Sequence, residues 1–432
     1  MLAQKIYRSI VMCFILVFTM TALAQQQPTK KIPQHGTIKN AVKKTVNKKV
    51  AEKKTVNKNV AEKTIVTKKV ADKNFPGQLT IEIFQKPTPM LAQNKYYLVY
   101  ELHLTNYQPS PITLTSLIIK GDDHQAFKYS NAALSKMMRP IGIKNPGEDP
   151  LVIQAGMSKM IFVWLPFETL KKVPNFLSHE VTFKVPSSLP NITPTSTSEA
   201  ILIENDLPVV IGTPLRGDYW IAGNAPSENS EHRNAHMILQ ARDYFAQRYA
   251  IDFVQIDKAG KTYHGNKSKN TNYFCYGKDV ISVSPGRVIE VKNDMPENTP
   301  QSGKLAVPIN LDTIGGNHIV IAIGGGKYAF YAHLIPNSIK VKVGDVVHQG
   351  QVIAKVGNTG NSSEPHLHFH IVNKPSFLAA DGTPYLFDTF QVRPATVTKG
   401  KNDEISAQIA KNKPQRVVDQ LVLENTVMKF AD

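Results

Sequence analysis

From residue 79 to about residue 211, apolar and polar side chains alternate with a period of two, the mark of strands that bury one face. In residues 96–104 the alternation puts Tyr96, Leu98, Tyr100, Leu102 and Leu104 on one face and turns Glu101 and His103 to the other. Residues 112–119, 160–165, 181–185 and 200–203 repeat the pattern between Pro and Asn clusters. Short strands at this spacing predict an immunoglobulin-like β-sandwich over residues 76–211. Nothing in it reads as catalytic, and His103, His124 and His179, isolated from one another, read as surface residues.

The second half is again dominated by strands. Residues 234–249 are the best helical candidate. Beyond them come apolar runs at 280–283 and 288–291 around a Pro285-Gly286 turn, then 317–323 and 328–334 joined by Gly324-Gly325-Gly326, which predicts a hairpin. Residues 341–347 and 351–356 follow, so that 212–396 reads as a compact, turn-rich β unit. The tail, 397–432, is polar until Arg416-Val417-Val418 and Leu421-Val422-Leu423, and is predicted to dock a last strand on one of the domains. The predicted fold class is all-β and mainly antiparallel.

Composition changes this picture at the N-terminus. The chain has 432 residues, 42% of them apolar, enough for two or three cores. Residues 1–24 have the form of a signal peptide: Lys5 and Arg8, an apolar run over 10–21, and Ala22-Leu23-Ala24 as the cleavage site. Uncleaved, the segment would act as an anchor. No second apolar run reaches membrane-spanning length. Residues 25–75 carry a ten-residue repeat with 14 Lys against Glu52, Glu62 and Asp72. Valines at 46, 50, 56, 60, 66 and 70 step by four and six and make no heptad seam. The segment reads as a disordered Lys-rich tether, either attracted to anionic envelope polymers or a plain solvated spacer. The net charge is +17, of which the tether holds +11 and the signal +2, leaving about +4 on the rest. That distribution argues against a nucleic-acid-binding fold. Cys13 lies in the signal, so the mature chain would carry Cys275 alone, without an internal disulfide; Tyr273-Phe274-Cys275-Tyr276 predicts that it is buried.

The densest chemistry lies in Glu364-Pro365-His366-Leu367-His368-Phe369-His370. An extended strand there would align three imidazoles on one face, directly after the polar loop 357–363. Imidazole binds metals and carries protons near neutral pH, so the run points to a metal-centred hydrolytic site.

These residues also carry a resemblance. Gly357-Asn358-Thr359-Gly360-Asn361-Ser362 leading into Pro365-His366-Leu367-His368-Phe369, preceded by Tyr331-Ala332-His333-Leu334, Val343-Gly344-Asp345 and Gly350-Gln351, resembles the lysostaphin-type (LytM-type) zinc peptidases over residues 212–392. The resemblance implies a peptidoglycan endopeptidase domain on an antiparallel β scaffold, with Zn2+ as cofactor. It implies His368 and Asp252 as zinc ligands, His366 as the general base, and His333 as the residue that orients the attacking water or steadies the oxyanion.

One ligand departs from the pattern. The family has His-x-x-x-Asp, whereas Arg248 stands four residues before Asp252, and a guanidinium does not ligate zinc. His232, twenty residues before Asp252, is the first candidate for the third ligand. His370, two positions beyond His368 and about 6.6 Å along the strand, is the alternative; His236 and His318 are weaker variants. Asp252 also has a bland reading, as the ion-pair partner of Arg248. His264 and His348 read as exposed.

The functional expectation is an exported, periplasmic or envelope-associated zinc metalloendopeptidase acting on peptidoglycan peptides. The alternative is an inactive peptidase-like domain that binds the cell wall or regulates wall hydrolases. A third reading is an adhesin or scaffold.

Overall fold

The computed structural model describes residues 78–432 apart from 123–124, 142–146, 187–192, 205 and 401–404. Residues 1–24 and 25–75, read above as a signal peptide and a tether, and His124 therefore lie outside the described residues. The described chain is almost all β, and its strands pair antiparallel except where Val209–Ile211 runs parallel to Tyr385–Arg393.

Residues 79–202 form two sheets over one core. One sheet is built around Lys95–Asn106 and Ser158–Phe167, the other around Ile112–Gly121 and Phe176–Lys184. Leu98, Tyr100, Leu102 and Leu104 from the first sheet meet Leu114, Leu117, Val181 and Phe183 from the second. The opposite face of Lys95–Asn106 is buried as well, against residues from the second half of the chain, which is why Glu101 and His103 are only 4% and 6% exposed.

Two histidines therefore correct the surface reading. His103 packs on Phe84 with ring centroids 4.2 Å apart and edges Phe245 at 6.1 Å. His179 is fully buried, sharing a 2.8 Å hydrogen bond between Nε2 and Tyr100 Oη and one of 3.1 Å between Nδ1 and Ser198 Oγ. Burial pushes its pKa down to about 4, so the ring is neutral. Isolation in sequence carried no information about either, because their partners are remote strands.

The second half centres on an eleven-stranded sheet. Its central order is Trp220–Gly223, Ile251–Gln255, Leu367–Val372, Lys327–Leu334, Asn317–Gly324 and Gly286–Lys292. The expected hairpin is Asn317–Gly324 paired with Lys327–Leu334, with Gly324, Gly325 and Gly326 all at positive φ. Trp220, Phe253, Tyr331, Phe369, Tyr385 and Phe387 fill the core beneath, and Cys275 is buried with Sγ 3.0 Å from Pro365 O. In the tail, Gln415–Gln420 joins the edge of this sheet on Tyr385–Arg393, and Val427–Lys429 inserts between Tyr385–Arg393 and Trp220–Gly223. Leu421 and Val422 are buried but belong to no strand.

The helix expected over 234–249 is absent. Met237–Leu239 and Arg242–Tyr244 form a hairpin, turned by Gln240 and Ala241 at φ 51° and 59°. Two consecutive left-handed residues make the tight turn whose twist suits paired strands. The burial is also the reverse of an amphipathic helix: Ile238 is 60% exposed, while Asp243 and Arg248 are buried. Distant partners hold the polar residues, with Arg242 on Asp381 at 2.9 Å and Arg248 on Glu101 at 2.6 Å.

Candidate metal centre

The sheet register brings the polar residues together. Asp252 stands opposite His368 across the pair Ile251–Gln255 and Leu367–Val372, and Ala332 stands opposite His368 on the other side. His333 therefore falls one residue beyond the centre, where its φ of 62° places it in the left-handed region. Two bonds hold that conformation: its N–H to Gly315 O at 3.1 Å, and Nδ1–H to Thr359 O at 2.7 Å.

Thr359 is itself set by the polar loop 357–363. Gly360, at φ 72°, lies so close to the neighbouring loop that a Cβ there would sit 2.3 Å from Gly316 N. Asn298 Nδ2 donates to Gly360 O and Ser362 O at 2.9 and 2.8 Å, and Asn317 N donates to Thr359 Oγ1 at 2.8 Å. These buried bonds lock the loop whose carbonyl aims His333.

His232, Asp252 and His368 offer three donor atoms that all lie within 4.8 Å of one another. His368 Nδ1 is 2.9 Å from Asp252 Oδ1, and His232 Nε2 is 3.3 Å from Asp252 Oδ2. Asn224 Nδ2 donates to the same Oδ2 at 2.9 Å. The rings of His232 and His368 meet edge to face, 4.7 Å between centroids. Lone pairs of a carboxylate and two imidazoles crowd together only around a proton or a cation, and two nitrogens with one carboxylate oxygen match the ligand chemistry of zinc.

His370 lies on the far side of His368. Its Nδ1 is 2.8 Å from His368 Nε2, the nitrogen that points away from Asp252. It therefore backs the His368 ring from the side away from Asp252.

His366 precedes the strand Leu367–Val372 and forms only an isolated bridge to Gly357, so the expected row of three strand histidines reduces to two, His368 and His370. The polar loop pulls it out of regular pairing. Its Nδ1–H donates to Glu364 O at 2.9 Å, and its Nε2 lies 3.4 Å from Asp252 Oδ1. The His366 and His333 rings are 4.7 Å apart.

The electrostatics follow from this packing. Burial alone would raise the Asp252 carboxyl, but His232 and His366 beside it hold it well below the carboxylate range. Burial alone would lower His366, but Asp252 outweighs it and raises the pKa. Burial takes His368 down to about 4 and His333 well below the ordinary value, with His366 and His368 adding repulsion at His333. Both are neutral at pH 7.

Arg248 does not pair with Asp252, which corrects that reading. Its guanidinium faces the other way and binds Glu101 at 2.6 to 3.2 Å, Gln85 Oε1 at 2.7 Å and Gly382 O at 3.1 Å. His236 bonds Asp243 at 2.7 Å and His318 bonds Glu290 at 3.0 Å; neither belongs to the donor cluster. His264 and His348 are exposed. Asn224 and the buried Glu101 were not visible as site-related in the sequence. Only the alternation that turned Glu101 from its apolar neighbours marked it.

Residues 268–379 match the model of peptidase family M23. The chain is 36% identical to lysostaphin of Staphylococcus simulans over 120 residues, which cover 26% of this chain and 24% of lysostaphin. It is 34% identical over 121 residues to the glycyl-glycine endopeptidase ALE-1 of Staphylococcus capitis, covering 26% and 33%, and 34% identical over 107 residues to the cell division protein DipM of Caulobacter vibrioides, covering 23% and 17%. The chain thus spans a third or less of the length of these relatives. Among solved structures, the catalytic domain of lysostaphin aligns at 22% identity and a TM-score of 0.22, covering 38% of this chain and 88% of that domain.

Residues 268–379 thus carry a lysostaphin-type M23 peptidase-family domain. The matched stretch contains His333, His366, His368 and His370 but neither Asp252 nor His232.

Proposed function

We propose that the chain is an exported zinc metalloendopeptidase that hydrolyses peptide cross-links of peptidoglycan. The observation that carries this reading is the convergence of His232, Asp252 and His368, with donor atoms within 4.8 Å of one another and His366 and His333 alongside. In this proposal residues 1–24 direct export, 25–75 tether the protein to anionic envelope polymers, 76–211 form the first domain and 212–396 the peptidase.

His232 Nε2, Asp252 and His368 Nδ1 would hold the metal. Zinc, when bound there, polarises the scissile carbonyl and acidifies the attacking water. His366 is the general base. Because its Nδ1–H is committed to a carbonyl, the nitrogen left for proton transfer is Nε2, beside Asp252 Oδ1 at 3.4 Å, and it takes the proton from water and returns it to the leaving amine. His333 is neutral with its proton on Nδ1, so Nε2 can only accept a hydrogen bond. That favours orienting the water over donating to the oxyanion. Asn224 and His370 steady Asp252 and His368 from outside.

The alternative, an inactive wall-binding domain, was motivated by Arg248 standing in a ligand position. His232 offers a donor in its place, which favours the enzyme. Dialysis against a strong chelator is expected to abolish release of peptides from purified peptidoglycan, and added zinc to restore it. Peptide release that persists in metal-free protein would contradict the proposal.

A further inference from the structure

His232 is held in an unusual way. It sits in a single helical turn, Glu231–Asn234, too short to hold its own shape. Its Nδ1 is buried with no hydrogen-bond partner, although metal-binding histidines ordinarily have the second ring nitrogen fixed by a neighbour. Beyond its contacts with Asp252 and His368, the ring's position is then set by the backbone that carries it.

That backbone is gripped from the first half of the chain. The adjacent Arg233, 1% exposed, donates from Nε to Glu101 Oε1 at 2.8 Å and from Nη2 to Tyr100 O at 2.6 Å and Val163 O at 3.0 Å. Its guanidinium lies 4.4 Å from the centroid of the Phe162 ring. Arg139 reaches the same turn, donating from Nε to Asn234 Oδ1 at 2.9 Å and from Nη2 to Asn229 Oδ1 at 2.7 Å. Consecutive residues thus face opposite ways: His232 towards Asp252 and His368, Arg233 into the strands Lys95–Asn106 and Ser158–Phe167.

We propose that Arg233, clamped by Glu101 and two strand carbonyls, is the positioning residue for His232, so that the first half of the chain completes the metal centre of the peptidase. The inference rests on the reading of His232, Asp252 and His368 as metal ligands. It also gives a role to the departure at Arg248: the residue in the usual ligand position locks the same Glu101, while the third donor arrives on the turn that Glu101 helps to hold.

The test compares two arginines on one carboxylate. In the full mature chain, Arg233→Met keeps an apolar stem against Phe162 and leaves Glu101 paired with Arg248. Zinc affinity, read by competition with a chromophoric chelator on protein shown to be folded by circular dichroism, is expected to fall at least about tenfold, the scale at which metal sites respond to lost outer support. Arg248→Met disturbs the same cluster without touching the turn, and is expected to change affinity less than threefold. Arg139→Met, on the more exposed side of the turn, is expected to weaken zinc several-fold and serves where Arg233→Met does not fold. With cobalt in place of zinc, the visible spectrum should change in Arg233→Met and not in Arg248→Met. Unchanged affinity in Arg139→Met and in any folded Arg233→Met overturns the proposal, as does an equal loss in Arg248→Met. A wild-type chain that binds no zinc overturns the ligand reading itself.

Discussion

His368→Ala is expected to remove the metal and the peptidoglycan-cleaving activity together, whereas His366→Ala is expected to keep the metal and lose about 10²–10⁴-fold in turnover, the usual contribution of a general acid–base group. The difference follows from position. His368 Nδ1 lies within the donor cluster at 2.9 Å from Asp252, and its other nitrogen is braced by His370, so removing the ring takes away one of the three donors. His366 stands at the edge of the cluster, with its Nδ1–H on Glu364 O and Nε2 available for proton transfer. Metal content and peptide release measured on both variants check the assignment. Activity that survives both substitutions would contradict it.

Glu101→Ala is expected to destabilise the fold by about 3–5 kcal/mol, because it leaves two buried guanidinium groups without their counter-charge. Arg233 and Arg248 are 1% and 4% exposed, and arginine does not escape by losing its proton. The same carboxylate predicts a pH dependence. Burial opposes its ionisation, but Arg248 and Arg233 outweigh burial and hold its pKa at about 2, against an ordinary 4.5. The folded value is depressed, so this contribution is complete above pH 4.5 and is lost as pH falls from there towards 2. Urea unfolding of wild type and variant across that range should show the gap between them closing at the acid end. A gap below about 1 kcal/mol at pH 7 would mean that the cluster is merely accommodated.

The fold class was legible because strand periodicity and Gly turns are local. Tyr96 to Leu104, the Gly324-Gly325-Gly326 hairpin and the histidine strand could all be read from neighbouring residues. So could His333, His366 and His368 as candidate site residues, which the structure brings side by side. What failed was non-local. His179 looked exposed because Tyr100 and Ser198 are far from it in sequence. Residues 234–249 looked helical because nothing nearby showed that Asp243 and Arg248 would be buried, or that Gln240 and Ala241 would turn a hairpin. The partner of Arg248 is 147 residues away, and the hold of the first half of the chain on Arg233 spans 132. No pattern within one segment encodes such a contact, so the sequence left His232 and His370 open as rivals. In the structure the two nitrogens of His368 face opposite ways, one towards Asp252 and one towards His370, and the proposal of His232 rests on that geometry.

The central claim is that His232 supplies the third donor that Arg248 does not. Elemental analysis of the purified mature protein, beside His232→Ala and His370→Ala, tests it most directly. The expected result is about one zinc per wild-type chain, loss in His232→Ala, and retention at 10- to 100-fold weaker affinity in His370→Ala. Zinc kept by His232→Ala and lost from His370→Ala, or no zinc bound by the wild type after incubation with the metal, would contradict it.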